Sequence, residues 1–234
     1  MAMGQGQDQT EALLKLVSLG NEAAAARLLN LHRRRLKKMI ALRIDEGLAA
    51  RQDPSDVVHE TILAASHKLA DYAQKPDIPF YAWLRCLAWS RLVELHRQNL
   101  DDPQKADFRQ GQLTPKCLSE MVKCFGPPSS AKSKPASGTG GSQREPSGSE
   151  AAKGDEPSPS RQKVRVCMEL ALSKLDPSAR ELLLLYYVEQ LTVPEIACVL
   201  EIETGQVKLR HVKAIRKLRT LLDQEGKNLP GDLL

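Results

Sequence analysis

The stretch LTVPEIACVLEIETGQVKLRHVKAIRKLRTLL, Leu191 to Leu222, reads as two helices joined by a tight turn. Thr192 and Glu195 stand at capping-box spacing around Pro194, which starts the first helix. Ile196, Ala197 and Leu200 face inward, and Ala197 is small enough to admit a second helix. Ile202 plugs the turn. Val207, His211, Ala214, Leu218 and Leu221 or Leu222 recur at helical spacing and make the inward stripe of the second helix. Lys208, Arg210, Lys213, Arg216, Lys217 and Arg219 crowd onto that helix with no acid among them, whereas Lys163 to Gln206 leans acidic. A short helix, a turn and then a cationic helix is the outline of a helix-turn-helix. Gln206, Lys208, Leu209, Arg210, Val212, Lys213 and Lys217 fall on the faces open to DNA. Glu201 occupies the turn position where glycine is usual, and a side chain in a left-handed conformation there costs about 1 kcal/mol. A helical protein-interaction bundle with a basic last helix has the same outline and stays open on these residues alone.

Working back from this stretch, Asp176-Pro177 is a cap followed by a helix-starting proline, and SARELLLLYYVEQ continues as a leucine-dense helix. Val164 to Leu175 forms an amphipathic helix before it, with Val164, Met168, Ala171, Leu172 and Leu175 on one side. Gly126 to Ser160 contains no Val, Ile, Leu, Met or aromatic residue. Burial cannot offset the ordering entropy of such a stretch, so it reads as a disordered linker. Ahead of it, LSEMVKCF (Leu118 to Phe125) carries an apolar trace suited to a short helix or an anchoring segment. The expected architecture is all-α: two small helical domains, 10–100 and 163–225, joined by a long linker at 101–162, with the second domain a helix-turn-helix.

The first domain reads as several helices. Thr10 to Leu19 has helical spacing and stops at Gly20, and Asn21 caps a long helix from Glu22 to about Ile44. Its inward stripe is Ala25, Leu28, Leu29, His32, Leu36, Met39, Ile40 and Arg43, mostly apolar. Its outer face carries Arg33, Arg34, Arg35, Lys37 and Lys38, which suits solvent, phosphate or an acidic protein surface. Asp53-Pro54-Ser55-Asp56 starts the next helix, with Val57, Ile62, Ala65 and Leu69 inward and Asp53, Asp56 and Glu60 along an acidic edge. Pro79-Phe80 opens a further helix to about Gln98. There Phe80, Tyr81, Trp83 and Trp89 are interleaved with Arg85, Arg91, His96 and Arg97, a mixture suited either to core packing, the better account of Trp83, or to stacking on unpaired bases.

Composition bounds the function. The 234 residues carry a net charge of +5, which admits a polyanionic partner without demanding one. The five cysteines form no C-x-x-C pair and suit small buried hydrophobes in a reducing cytosol. The first residues lack the basic and apolar regions of a secretory signal, and no apolar run is long enough to span a membrane, so a cytoplasmic location is expected. His59 and His67 lie two turns apart, where the zinc-protease pattern needs four residues, so no metal site is expected. Gly4 to Gly6 has no strand before it and is not a dinucleotide fingerprint. No nucleophile–base pair is present, so neither enzymatic activity nor a cofactor is expected.

These residues together resemble a family. Leu191 to Leu222, with LDPSARELLLLYYVEQLT before it, resembles the C-terminal domain of bacterial sigma-70-family RNA polymerase sigma factors, in their extracytoplasmic-function (ECF) subgroup. DPSDVVHETILAASHKL (Asp53 to Leu69) resembles the family's helix that docks on the polymerase clamp. IPFYAWLRCLAWSRLVELHR (Ile78 to Arg97) resembles its promoter-melting segment, with Trp83-Leu84-Arg85 as the central phrase, and the wording is similar to a planctomycete-type branch. The resemblance covers roughly residues 10 to 100 and 163 to 222. It implies a specificity subunit that binds core RNA polymerase, at the clamp of the largest subunit, and directs promoter-specific transcription initiation. Asp56, His59 and Glu60 would then contribute to polymerase binding. Trp89, Ser90, Arg91 and Arg97 would meet bases or phosphates at the minus-ten element. Gln206, Lys208, Leu209, Arg210, Val212, Lys213 and Lys217 would meet the minus-thirty-five element. Promoter DNA is the implied second partner, and the resemblance leaves room for an anti-sigma protein. Leu209 departs from the small polar residue common at its position, as Glu201 does from the turn glycine. The alternative is a stand-alone helix-turn-helix regulator whose first domain senses a ligand; another is an adaptor that binds an acidic partner through its basic helices.

Overall fold

The computed structural model describes residues 3–44, 46–99, 114–125 and 159–228. The described residues are helical, with no strand among them: α1 (Met3–Ser18), α2 (Glu22–Arg43), α3 (Glu46–Ala49), α4 (Pro54–Gln74), α5 (Phe80–Asn99), α6 (Pro115–Phe125), α7 (Pro159–Lys174), α8 (Pro177–Leu183) with a π-helical turn at Leu184–Val188, α9 (Val193–Val199) and α10 (Thr204–Asn228). None of them is long and apolar enough to cross a membrane.

Local chemistry sets most of these boundaries. Gly20 takes the left-handed conformation that ends α1 (φ 82°), and the Asn21 side chain then accepts a hydrogen bond from Ala24 N–H at 3.0 Å to start α2. Asp53 accepts from Ser55 N–H and Asp176 from Ala179 N–H, each just before the proline that opens α4 or α8. Two boundaries differ from expectation. Helix α1 begins at Met3 rather than Thr10, so Gly4 and Gly6 lie in its first turns. The leucine-dense helix after Pro177 does not run straight to Gln190. It widens into the π-helical turn, where Glu189 N–H bonds Leu184 C=O at 3.0 Å, and Gln190 then turns left-handed (φ 56°).

In the N-terminal unit, α2 packs on α1, α4 and α5. Leu28, Leu36, Met39, Ile40, Val57, Leu69, Leu84 and Leu92 form the centre of its core. Each such buried side chain contributes roughly 1.5–3 kcal/mol of transfer free energy. The expected inward stripe of α2 is found buried at Leu28, Leu29, Leu36, Met39, Ile40 and Arg43. In the C-terminal unit, α10 packs on α7, α8 and α9. The apolar trace at Leu118 to Phe125 lies in α6, which falls within the 101–162 segment and buries Cys117, Met121 and Val122 against α7 and the π-helical turn. Of Gly126 to Ser160, read from sequence as the disordered linker, residues 126–158 lie outside the described residues, while Pro159 and Ser160 already belong to α7.

The two units are packed together. Leu42 of α2 joins the core of α6, α7 and α10, while Tyr81 and Ala82 of α5 join Leu182, Leu185, Leu191 and Ile196. Thr114 Oγ1 and Cys117 Sγ both donate to Leu42 C=O, at 2.7 and 3.0 Å, which pins α6 to the end of α2. Beside these apolar contacts lies a buried ionic cluster. Arg43 Nη2 meets Glu181 Oε1 at 2.6 Å and Glu189 Oε1 at 2.7 Å, and Arg85 Nε meets Glu189 Oε2 at 2.9 Å. All four side chains are at most 4% exposed. Burial opposes ionisation of Glu189, but the adjacent Arg85 and Arg43 charges outweigh it and hold the carboxyl at about 2, below its ordinary range. At the rim, Arg35 forms a two-pronged bond to Glu195 at 3.0 and 2.8 Å and lies over the Tyr81 ring, while Lys38 donates to Val188 C=O. The outer face of α2, read as suited to solvent, phosphate or an acidic surface, therefore gives two of its cations to the protein's own C-terminal unit.

Candidate nucleic-acid interface

The α9–α10 pair is built as a helix-turn-helix. Glu195 Oε2 accepts from Thr192 N–H at 2.8 Å and from the Thr192 hydroxyl at 3.0 Å, closing the start of α9. At its end, Ile202 N–H reaches back to Ala197 C=O at 3.0 Å and Glu201 N–H to Cys198 C=O at 3.3 Å. That paired pattern is a Schellman motif, whose pivot residue must be left-handed. The pivot is Glu201, with φ 53°. The expected misfit at this position is thus a feature of the folded backbone: the turn keeps its geometry and bears the strain of a Cβ.

Val207, Ala214 and Leu218 anchor α10 to the unit below, and the His211 ring stacks on Tyr186 with centroids 4.5 Å apart. A hydrogen bond of 3.1 Å joins His211 Nε2 and the Tyr187 hydroxyl. Burial lowers the His211 pKa below its ordinary value. The opposite face is open. Gln206, Lys208, Arg210, Lys213 and Lys217 are exposed, and so are Leu209 at 49% and Val212 at 45%. Two large apolar side chains standing in water amid cations suit contact with thymine methyls flanked by phosphate and base-edge contacts. All seven residues expected to face DNA therefore share one solvent-facing surface. Arg210, Lys213 and Lys217 also line a shallow groove with Asp176, Ser178 and Ala179 at the start of α8.

The α5 surface is more selective than the sequence implied. Arg85 and His96 are buried, at 1% and 3% exposure, so neither is available to bases in this arrangement. Trp83 stacks on Tyr72 at 4.6 Å and packs beside Phe80, as its expected core role requires. Trp89 is half-buried with the Arg43 guanidinium 5.8 Å from its ring centroid. Ser90 and Arg97 are exposed, the former donating to Cys86 C=O. Arg91 Nε bonds Glu60 Oε2 at 2.7 Å. This pair joins a residue expected at the promoter-melting surface to one expected at the polymerase-binding edge of α4, where Asp56 and His59 stand exposed. Among the described residues, no three His, Cys, Asp or Glu side chains gather as a metal site would require.

Residues 165–218, spanning most of α7 through most of α10, match the family model "Sigma-70, region 4". The RNA polymerase sigma factor CnrH of Cupriavidus metallidurans is 29% identical over 179 residues, covering 74% of this chain and 75% of the relative. The chain is similar to sigma factors of the sigma-70 family. This similarity supports a sigma factor that directs transcription initiation, and α9 with most of α10 lies within the region 4 match. A solved structure of CnrH in complex with the cytosolic domain of CnrY aligns over 93% of this sigma factor and 99% of that chain, at 23% identity and a TM-score of 0.46. Missing from the sequence reading of the sigma factor were the partners of Arg43 and Arg85. The available signal was an arginine on the inward stripe of α2, which has to find a buried acid.

Proposed function

We propose that this sigma factor binds core RNA polymerase through the exposed edge of α4, opens the minus-ten element with the exposed part of α5, and reads the minus-thirty-five element with α10. It has no catalytic activity of its own and uses no cofactor. Promoter DNA and core polymerase are its partners, with an anti-sigma protein as a further one. The observation that carries this reading is the open face of α10, where cations surround exposed Leu209 and Val212 while Val207, Ala214 and Leu218 fix the helix from below. Arg210 and Lys213 are the side chains suited to guanine O6 and N7, each good contact contributing roughly 1–3 kcal/mol of discrimination. Phosphate attraction by the surrounding cations supplies the salt-dependent remainder.

The test is the double variant Arg210→Ala with Lys213→Ala. Promoter-specific transcription is expected to fall by about tenfold or more, while binding to core polymerase, measured by pull-down, is unchanged. If both activities vanish together, or neither changes, this division of labour is wrong.

A further inference from the structure

We infer that Leu209, at the crest of α10, reads the C5-methyl group of a pyrimidine, and that this methyl, on thymine or on 5-methylcytosine, sets the base preference where the side chain meets DNA. This rests on the proposed reading of the minus-thirty-five element by α10.

The placement follows from helix geometry. An α-helix turns by about 100° per residue. Val207, His211, Ala214 and Leu218 therefore fall within about 60° of one another, and this stripe is the face that packs, with Val207, Ala214 and Leu218 buried. Leu209 lies about 170° from the middle of the stripe. Lys208, Val212 and Arg219 stand on one flank of it, and Arg210, Lys213 and Lys217 on the other, all exposed. Leu209 is itself 49% exposed, and Val212, one turn on, is 45% exposed beside it. A recognition helix touches base edges with its N-terminal residues. Leu209 belongs to the second turn of α10, whereas Arg216, on the same side, follows two turns later. With the packed stripe against the protein, the cationic flanks meet the phosphate walls of a major groove. The crest meets its floor.

The chemistry of that floor selects the ligand. Guanine and adenine present N7, with O6 or an amino group beside it, cytosine presents its amino group, and thymine presents O4. A leucine pressed onto those polar atoms removes their water and returns no hydrogen bond, which is unfavourable. The apolar group on the floor is the thymine C5-methyl. Uracil has the same hydrogen-bonding edge without the methyl. Cytosine also lacks it, and 5-methylcytosine carries it on the same ring carbon. Leucine makes no hydrogen bond, so what it distinguishes is a methylated ring from a bare one. Burying one such carbon corresponds to a factor of roughly four in affinity. An exposed leucine alone needs no explanation. This one is centred between two rows of cations, opposite a packed face, with a valine extending its apolar surface. Its contribution differs in kind from theirs, because phosphate contacts weaken with salt and an apolar contact does not. A promoter with cytosine at this position is thereby open to control by C5 methylation of that base.

The experiment uses the full chain with core polymerase. Duplexes randomised over the upstream element are selected for binding, and each thymine of the selected element is then replaced singly by uracil. One replacement is expected to weaken binding roughly fourfold, by the same factor at low and at high salt. At that position 5-methylcytosine is expected to bind roughly fourfold more tightly than cytosine. Leu209→Ser should abolish both differences, and Leu209→Met, which stays apolar at similar volume, should keep them. Position 209 is exposed, so neither variant threatens the fold. The methyl reading is overturned by an element with no uracil-sensitive thymine, by a difference that survives in Leu209→Ser, or by 5-methylcytosine binding no better than cytosine. An element bound equally well by the Arg210→Ala, Lys213→Ala variant instead overturns α10 as the DNA-facing helix, and the methyl reading with it.

Discussion

Arg43 and His32 occupy the same stripe of α2 as its leucines, and both are polar residues committed to a packed environment. Arg43 answers burial with two carboxylates. His32 answers by staying neutral. Burial, helped by Arg35 and opposed by Glu195, lowers its pKa from 6.5 to about 4, and a 3.0 Å hydrogen bond joins its Nε2 to Thr10 Oγ1. The unfolded chain takes up this proton near 6.5 and the folded chain only near 4. The stability that neutral His32 confers is therefore fully present above about 6.5 and is lost as pH falls toward 4. At about 1.4 kcal/mol per pH unit the loss is up to about 3 kcal/mol. Urea unfolding at pH 7 and at pH 4 should show it, and His32→Gln should flatten the difference. An unchanged pH dependence in that variant would mean another group is responsible. The inward position of both residues was legible from spacing. Their partners were not, because Glu181 lies 138 residues from Arg43 and an ion pair at that separation leaves no periodic trace in the chain.

The elements divide by the kind of signal that specifies them. Helix starts at Asn21, Asp53 and Asp176 were legible because a capping side chain, joined at Asp53 and Asp176 by a following proline, acts within a few residues. The exposed face of α10 was legible because one periodic stripe fixes which residues face inward and hence which face out. The π-helical turn at Leu184–Val188 was not, since its sequence, LLYYV, is equally suited to an ordinary helix. The α9–α10 turn lies between these cases. Glu201 was identified as out of place, and its backbone is left-handed as the Schellman geometry requires. Glu201→Gly should relieve roughly 1–2 kcal/mol of strain against roughly 0.4–1 kcal/mol returned through the freer unfolded chain. The expected net gain is about 0.5–1 kcal/mol, seen as a higher urea midpoint at unchanged slope. A lower midpoint would show that the Glu201 side chain contributes more than its strain costs.

For the whole molecule, order along the chain carried more information than any single motif. A helix resembling the family's clamp-docking one, an aromatic and basic helix, and a helix-turn-helix in that sequence point to a sigma factor, where the last alone supports only DNA binding. What the chain order could not convey is that the units close on one another through α2, α5, the π-helical turn and α9, because that contact depends on surfaces formed only after each unit has folded. The most direct measurement of the central claim is in vitro transcription of fragmented genomic DNA by core polymerase, with and without this chain, with every start site mapped by sequencing. The account predicts a discrete set of new start sites that appear only with the chain and share a two-part upstream element, and whose use is lost in the Arg210→Ala, Lys213→Ala variant. Start sites identical to those of core polymerase alone would contradict it.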